Sequence, residues 1–296
     1  MTARSAFFGN QGQKDALLAD IEAGGLLTRL WLAGQDRRWR FDVLATEFNV
    51  DAGLLCLAAA LAPNPQDDAM RTFATDLVRR LPPGADTTGF VQRFYLHCWS
   101  EAGWAIEPRL HGSAAHAPGH AIINLVRDSR SAPIAPTVWR KARRALDAAA
   151  DRCEDVAAID VLREMAWDLS ESTGAVADVV TALGKLQISD SHRENDWSPE
   201  LAEQANNRRM ALWRAASDDV GAPTDPNDKM GHFTKVQTRF AEMAPASEHA
   251  ALIQRGGEYD QMAFARLSAW MDAAREAVLM LVERLAVPTD KAAAAA

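Results

Sequence analysis

The chain has few of the residues that mark an extracellular or membrane protein. Its three cysteines, Cys56, Cys98 and Cys153, are odd in number and widely spaced, and no Cys-x-x-Cys pair occurs. This pattern argues against both a disulfide framework and a thiolate zinc knuckle. No uninterrupted apolar run approaches the roughly 20 residues that a membrane-spanning helix requires, and the N-terminus does not resemble an export signal. We therefore expect a cytoplasmic protein without a membrane anchor.

Strand patterns and complete catalytic motifs are also missing. The sequence contains no Walker A loop, no complete Gly-rich dinucleotide loop, no His-Glu-x-x-His and no Gly-x-Ser-x-Gly. Apolar residues recur instead at helical spacing, without the repeat period of a solenoid. The sequence predicts an all-α protein, a multi-helix bundle of about ten to twelve helices, with more than half of the chain helical and no significant sheet.

The prolines and glycines suggest how the chain is divided. With 296 residues and 48% hydrophobic content, the chain is long enough for one large or two medium helical domains. Residues 104–136 contain four prolines and two glycines, the composition of a connector, although a short helix is expected at 121–126. We predict an N-terminal small-helix region at 1–103, a Pro/Gly/His connector at 104–136 and a C-terminal helical bundle at 137–296.

Three histidines in the connector suggest a metal site. The run from 111 to 120 reads His-Gly-Ser-Ala-Ala-His-Ala-Pro-Gly-His, and a glutamate lies just upstream. Three imidazoles and a carboxylate are a suitable ligand set for zinc. Pro118 and Gly119 argue against a helix in which the last two histidines would stack, so a loop is expected to hold the ligands. The candidate ligands are Glu107, His111, His116 and His120.

A basic stretch suggests an anion site. The net charge is -8, yet residues 104–152 carry +4 between flanks of -2 and -10. A local arginine cluster beside Trp139 would suit a phosphate or a single-stranded base. A solvated helix face paired with the acidic C-terminal half is the favoured interpretation, because the net charge disfavours nucleic acid. The candidate residues are Arg127, Arg130, Arg140, Lys141, Arg143 and Arg144.

The last predicted helix has an apolar seam with alternating three- and four-residue spacing. This is the geometry of a helix packed at a shallow angle along a partner. Because the seam covers only about three heptads, packing inside a bundle is favoured over homodimerisation. Arg266, Asp272 and Glu276 are expected to be exposed. The seam residues are Phe264, Leu267, Met271, Ala274, Val278, Leu281 and Leu285.

Three functions of different classes remain open. The first is a non-enzymatic cytoplasmic interaction protein, an adaptor or regulator with a protein partner, favoured by the missing motifs and the apolar seam. The second is an enzyme or sensor that uses the histidine segment, with zinc as the possible metal. The third is a phosphate or nucleic-acid binder that uses the basic stretch. The sequence names neither partner nor substrate.

Overall fold

Helices account for 76% of the structure. The computed structural model describes residues 4–25, 29, 41–62, 64, 67–169, 173–223, 225 and 228–285. These residues form no strand, and their one β-type contact is an isolated bridge between Ser5 and Asp86. The predicted all-α fold is therefore confirmed.

Thirteen α-helices lie within the described residues, twelve of them seven residues or longer. In chain order they are α1 Gln11–Glu22, α2 Phe41–Phe48, α3 Ala52–Leu61, α4 Asp68–Arg80, α5 Phe90–Ser100, α6 Glu107–Leu110, α7 His116–Asp128, α8 Pro136–Ala150, α9 Val156–Met165, α10 Ala175–Glu194, α11 Pro199–Val220, α12 Lys229–Met243 and α13 Ala250–Glu283. Two 3-10 segments, Ala6–Gly9 and Ala244–Ala246, complete the order.

The chain divides into two compact units. The first unit comprises Met1–Leu186 and Trp270–Ala296, and the second comprises Gln187–Ala269. This division differs from the predicted one at 1–103, 104–136 and 137–296. The expected connector contains α6, α7 and the start of α8, and its residues belong to the first unit. Its prolines are compatible with helix because Pro108 and Pro136 occupy the first turns of α6 and α8.

Polar side chains close several helix ends in the first unit. The Asp51 side chain accepts the Gly53 N–H at the start of α3, as its position before an apolar run predicts. The buried Lys14 of α1 donates to the carbonyl oxygens of Arg79 and Leu81 at 2.7 and 3.0 Å. Burial lowers the pKa of Lys14. These bonds satisfy carbonyl groups that the end of α4 leaves without helical partners.

Within the described residues, no single helix is both long enough and apolar enough to span a bilayer. Helices α2 and α3 reach that length and composition only as a pair, and the pair is bent by 115°.

Two of the three cysteines are buried, which predicts their reactivity. Burial raises the pKa of Cys56 and of Cys98 to about 12, so neither forms much thiolate, whereas Cys153 is half-buried. Because the thiolate is the nucleophile, we expect a thiol reagent to label one cysteine quickly in the native protein and all three after denaturation. Cys153→Ser should abolish the fast signal. Equal labelling rates for all three thiols would contradict the assignment.

Candidate functional site

The histidine segment forms the start of a helix. Helix α7 begins at His116, so His116 and His120 lie one turn apart on the same face. The expectation that a loop holds them was wrong. Pro118 is the third residue of the helix, where the missing N–H would have no helical partner in any case. The next N–H, that of Gly119, already donates to the Ala115 carbonyl at 2.9 Å.

Gly119 allows α7 to approach its neighbours closely. A Cβ at this position would lie 3.0 Å from Leu162 Cδ1 and 3.1 Å from the Trp99 ring. The absence of a side chain therefore brings the start of α7 against α9 and the end of α5. His120 then packs edge-on against Trp99, with ring centroids 5.1 Å apart. This contact fixes the imidazole on its apolar side and leaves its nitrogens directed elsewhere.

Three of the four predicted metal ligands converge. Glu107, His116 and His120 each offer a ligand atom, and these atoms all lie within 4.8 Å of one another. Glu107 Oε1 is 3.0 Å from His120 Nε2. His116 Nε2 is buried and has no hydrogen-bond partner within the described part of the chain. A buried nitrogen without a partner costs about 1–3 kcal/mol, and a bound cation would remove that cost.

His111 lies beside this cluster but is not part of it. Its ring centroid is 5.3 Å from that of His116, which in turn is 4.7 Å from that of His120. His111 is exposed and belongs to the turn after α6. The described cluster thus consists of two imidazoles and one carboxylate, with a third imidazole at its edge.

The geometry is compatible with a tetrahedral zinc ion. Zinc binds imidazole nitrogen and carboxylate oxygen at about 2.0–2.2 Å, which places neighbouring ligand atoms about 3.4 Å apart in a tetrahedron. The ligand atoms of the cluster lie within 4.8 Å of one another, so zinc binding would bring the more distant of them closer together. Three protein ligands leave the fourth position open.

The structure places the residues of the basic stretch in different environments. Arg127 donates to Asn124 Oδ1 at 2.6 Å, and Arg143 donates to the Ala166 carbonyl and lies 4.1 Å above the Trp167 ring. Trp139 is only 3% exposed, which excludes it as a stacking platform for a base. The remaining residues of α8 in the set, Arg140, Lys141 and Arg144, are exposed.

Arg130 is different because its neighbour is another arginine. Burial lowers the pKa of Arg130, and the charge of Arg93 lowers it further. Arg93 was missed in the sequence because it lies 37 positions earlier, on a predominantly apolar helix. No local sequence signal links the two.

The buried face of α13 differs from the predicted seam. Ala274, Val278 and Leu285 are buried as expected, and Asp272 and Glu276 are exposed as expected. In contrast, Leu267, Met271 and Leu281 are only half-buried. Phe264 is 68% exposed, which differs from the favoured bundle interpretation, and its place in an interface stays a prediction. Arg266 is half-buried rather than exposed, because it pairs with Asp190 and Glu194. Other residues of the helix that the prediction omitted are also buried: Ile253, Tyr259, Ala263, Trp270, Ala277, Leu279 and Val282. An interaction role for this helix stays a prediction.

Two cavities lie elsewhere in the described chain. One, in the first unit, is lined by apolar side chains from the N-terminal turn to Leu81. It offers no described polar group to orient a ligand. The other, in the second unit, is bordered by Trp197 and by the Arg209–Asp260 ion pair. Trp197, which lines this cavity, stacks on Tyr259 with ring centroids 4.4 Å apart.

The Glu107, His116 and His120 cluster is therefore the arrangement with the most definite chemistry in the described chain. Comparisons with protein-family models, with curated proteins and with solved structures find no match for this chain.

Proposed function

We propose that this protein is a zinc metalloprotein whose ion is held by Glu107, His116 and His120. The observation that supports the proposal is the convergence of one ligand atom from each of Glu107, His116 and His120 within 4.8 Å. The Nε2 of His116 is also buried and has no hydrogen-bond partner among the described residues. Two histidines and one glutamate are a ligand set of catalytic zinc sites. Structural zinc sites, in contrast, usually have four protein ligands.

The fourth coordination position is proposed to take water or an exogenous ligand. The His120 and Glu107 side chains are 42% and 33% exposed, so solvent reaches the cluster from one side. Zinc with three protein ligands lowers the pKa of its bound water to about 7 and so supplies a hydroxide nucleophile near neutral pH. The exposed His111, whose ring centroid is 5.3 Å from that of His116, would be available to exchange a proton with such a water. A zinc-dependent hydrolytic or sensing role follows.

Zinc titration of the metal-free protein tests this proposal. We expect one zinc ion per chain by calorimetry. Changing even an outer-shell partner of a metal ligand costs about 10–100-fold in affinity, so His120→Ala or Glu107→Ala should weaken binding by at least about 100-fold. His232→Ala is the matched control, because this half-buried histidine of the second unit lies outside the cluster. It should bind zinc as the unmodified protein does.

Cobalt(II) substitution tests the open position. Tetrahedral cobalt absorbs visible light more strongly than octahedral cobalt, and the spectrum should shift when an anion such as azide is added. His111→Ala should retain the metal. If it loses the metal as completely as His120→Ala does, His111 is a fourth ligand and the site is closed. Stoichiometric zinc retained by His116→Ala/His120→Ala would refute the proposed site.

A further inference from the structure

Arg93 and Arg130 form a pair of positive charges without a counter-charge. Arg93 belongs to α5, and Arg130 follows the end of α7 by two residues. The Nε atoms of both side chains are buried and have no hydrogen-bond partner in the described ranges. No described carboxylate forms an ion pair with either arginine. Both side chains are nevertheless only half-buried, so solvent reaches part of each guanidinium.

Gly89 brings the two arginines to one side of α5. It is the N-cap of that helix, four residues before Arg93, so the two positions lie on the same face. A Cβ at Gly89 would lie 3.3 Å from Arg130 Cγ and 3.7 Å from Arg130 Cβ. The backbone of Gly89 also has a φ of 68°, which glycine adopts without strain. The absent side chain thus lets the Arg130 stem rest on the helix beside Arg93.

The electrostatics of Arg130 differ from those of arginines that have acidic partners. Arg163, for example, pairs with Asp147 and Asp160, and these hydrogen bonds raise its pKa. Around Arg130, burial lowers the pKa and the Arg93 charge lowers it further, with no acidic group offsetting either effect. A partly desolvated charge beside a like charge is unfavourable unless an anion neutralises it.

We propose that Arg93 and Arg130 bind a small phosphate-type oxyanion, either inorganic phosphate or the phosphate group of a monoester. Guanidinium groups offer N–H donors in a planar fork that matches phosphate oxygens. A dianion neutralises both charges and accepts hydrogen bonds from the solvent-facing N–H groups of the two guanidiniums. A nucleic acid is the poorer ligand, because the whole chain carries a net charge of -8 and Trp139 is buried.

The anion site and the zinc site lie at opposite ends of the same two helices. Gly119 near the start of α7 packs on Trp99 near the end of α5, whereas Arg130 after the end of α7 packs on Gly89 at the start of α5. The helices are therefore antiparallel. A variant at one site leaves the ligands of the other unchanged, so the two proposals are tested separately.

Phosphate titration at constant ionic strength tests the anion site. Inorganic phosphate should raise the melting temperature of the unmodified protein saturably, and calorimetry should give one site per chain. Arg93→Gln and Arg130→Gln should each weaken binding by about tenfold or more, the effect of losing charge-assisted hydrogen bonds. Arg144→Gln is the matched control, since it removes the same charge from an exposed position on α8. It should bind phosphate normally.

A second readout separates ligand binding from a structural role. Without phosphate, Arg93→Gln and Arg130→Gln should melt no lower than the unmodified protein, because each removes a like-charge contact. A lower melting temperature would show that the arginines have structural partners and would overturn the proposal. The proposal would also be overturned if phosphate did not bind saturably in the millimolar range. It would likewise be overturned if Arg144→Gln weakened phosphate binding as much as Arg93→Gln and Arg130→Gln do. A parallel titration with glycerol phosphate tests binding of a phosphate monoester. If an oligonucleotide bound more tightly than phosphate, nucleic acid and not a small phosphate would be the ligand, and the proposal would be wrong.

Discussion

Trp270→Ala should destabilise the protein by about 3–5 kcal/mol, the range for truncating a large buried aromatic side chain. Trp270 is 4% exposed and packs edge-on against Trp104, with ring centroids 6.4 Å apart. Loss of the indole removes a large apolar surface and leaves a cavity that the surrounding helices cannot fill completely. Urea denaturation followed by circular dichroism measures the free energy of unfolding.

Two matched variants on the same helix sharpen this test. Phe264→Ala should change the free energy of unfolding by less than about 0.5 kcal/mol, because the Phe264 ring is 68% exposed. Trp270→Phe should cost less than Trp270→Ala, since it retains most of the ring and removes an indole N–H that has no partner among the described residues. If Phe264→Ala lowered the free energy of unfolding more than Trp270→Ala does, the predicted seam, and not the face seen in the structure, would be the buried one.

Gly53→Ala should also destabilise the first unit strongly. A Cβ at this position would lie 2.6 Å from Val91 Cγ2 and 2.8 Å from Asp51 Oδ1. Val91 is buried and its branched side chain has little rotational freedom, so the backbone must shift. Overpacking of this kind costs about 1–3 kcal/mol. The shift would also disturb the Asp51 cap, whose oxygen accepts the Gly53 N–H at 2.8 Å.

Gly257→Ala is the control for this substitution. Gly257 lies inside α13 and has no heavy atom within 4 Å of the position that a Cβ would occupy. Alanine is a better helix former than glycine by up to about 1 kcal/mol, so this variant should be more stable than the unmodified protein. Opposite signs in the two melting-temperature shifts are expected. A stabilising Gly53→Ala would mean that Val91 moves without cost.

Helical periodicity was a reliable guide to fold class but a poor guide to how a long helix is buried. Helix α13 contains 34 residues. A strict seven-residue pattern drifts by about 20° per heptad relative to a straight helix, so one stripe cannot stay buried over several heptads. Phe264 fits the predicted spacing yet is exposed, while Trp270 and Val282 lie outside it and are buried. Burial depends on which neighbouring elements pack against each turn of the helix. The spacing of apolar residues within one helix carries no information about those neighbours.

The candidate metal site was predictable in its residues but not in its geometry. The histidine spacing and the upstream glutamate are visible in the sequence, but the sequence around Pro118 predicts a break in the helix. No polar side chain caps the start of helix α7, because its N-cap residue is Ala115. The sequence therefore gives no capping signal for where this helix begins. Without a capping signal, Pro118 predicts the end of a helix rather than a position in the first turn of one.

The interaction role, the protein partner and the cytoplasmic location stay predictions. Zinc and phosphate binding are the functional proposals with defined residues.

The burial of Cys56 and Cys98 also allows transient opening of the folded core to be measured by thiol labelling. Both side chains are closed to solvent in the folded chain, at 3% and 0% exposure, so a reagent reaches them only when the core opens. Cys56 is on α3 and Cys98 on α5, which places a natural probe on each of two core helices. In a Cys153→Ser background, labelling rates measured against urea concentration would give an opening free energy for each helix. Equal values would identify one cooperative unit, and a lower value at one cysteine would identify the helix that opens first.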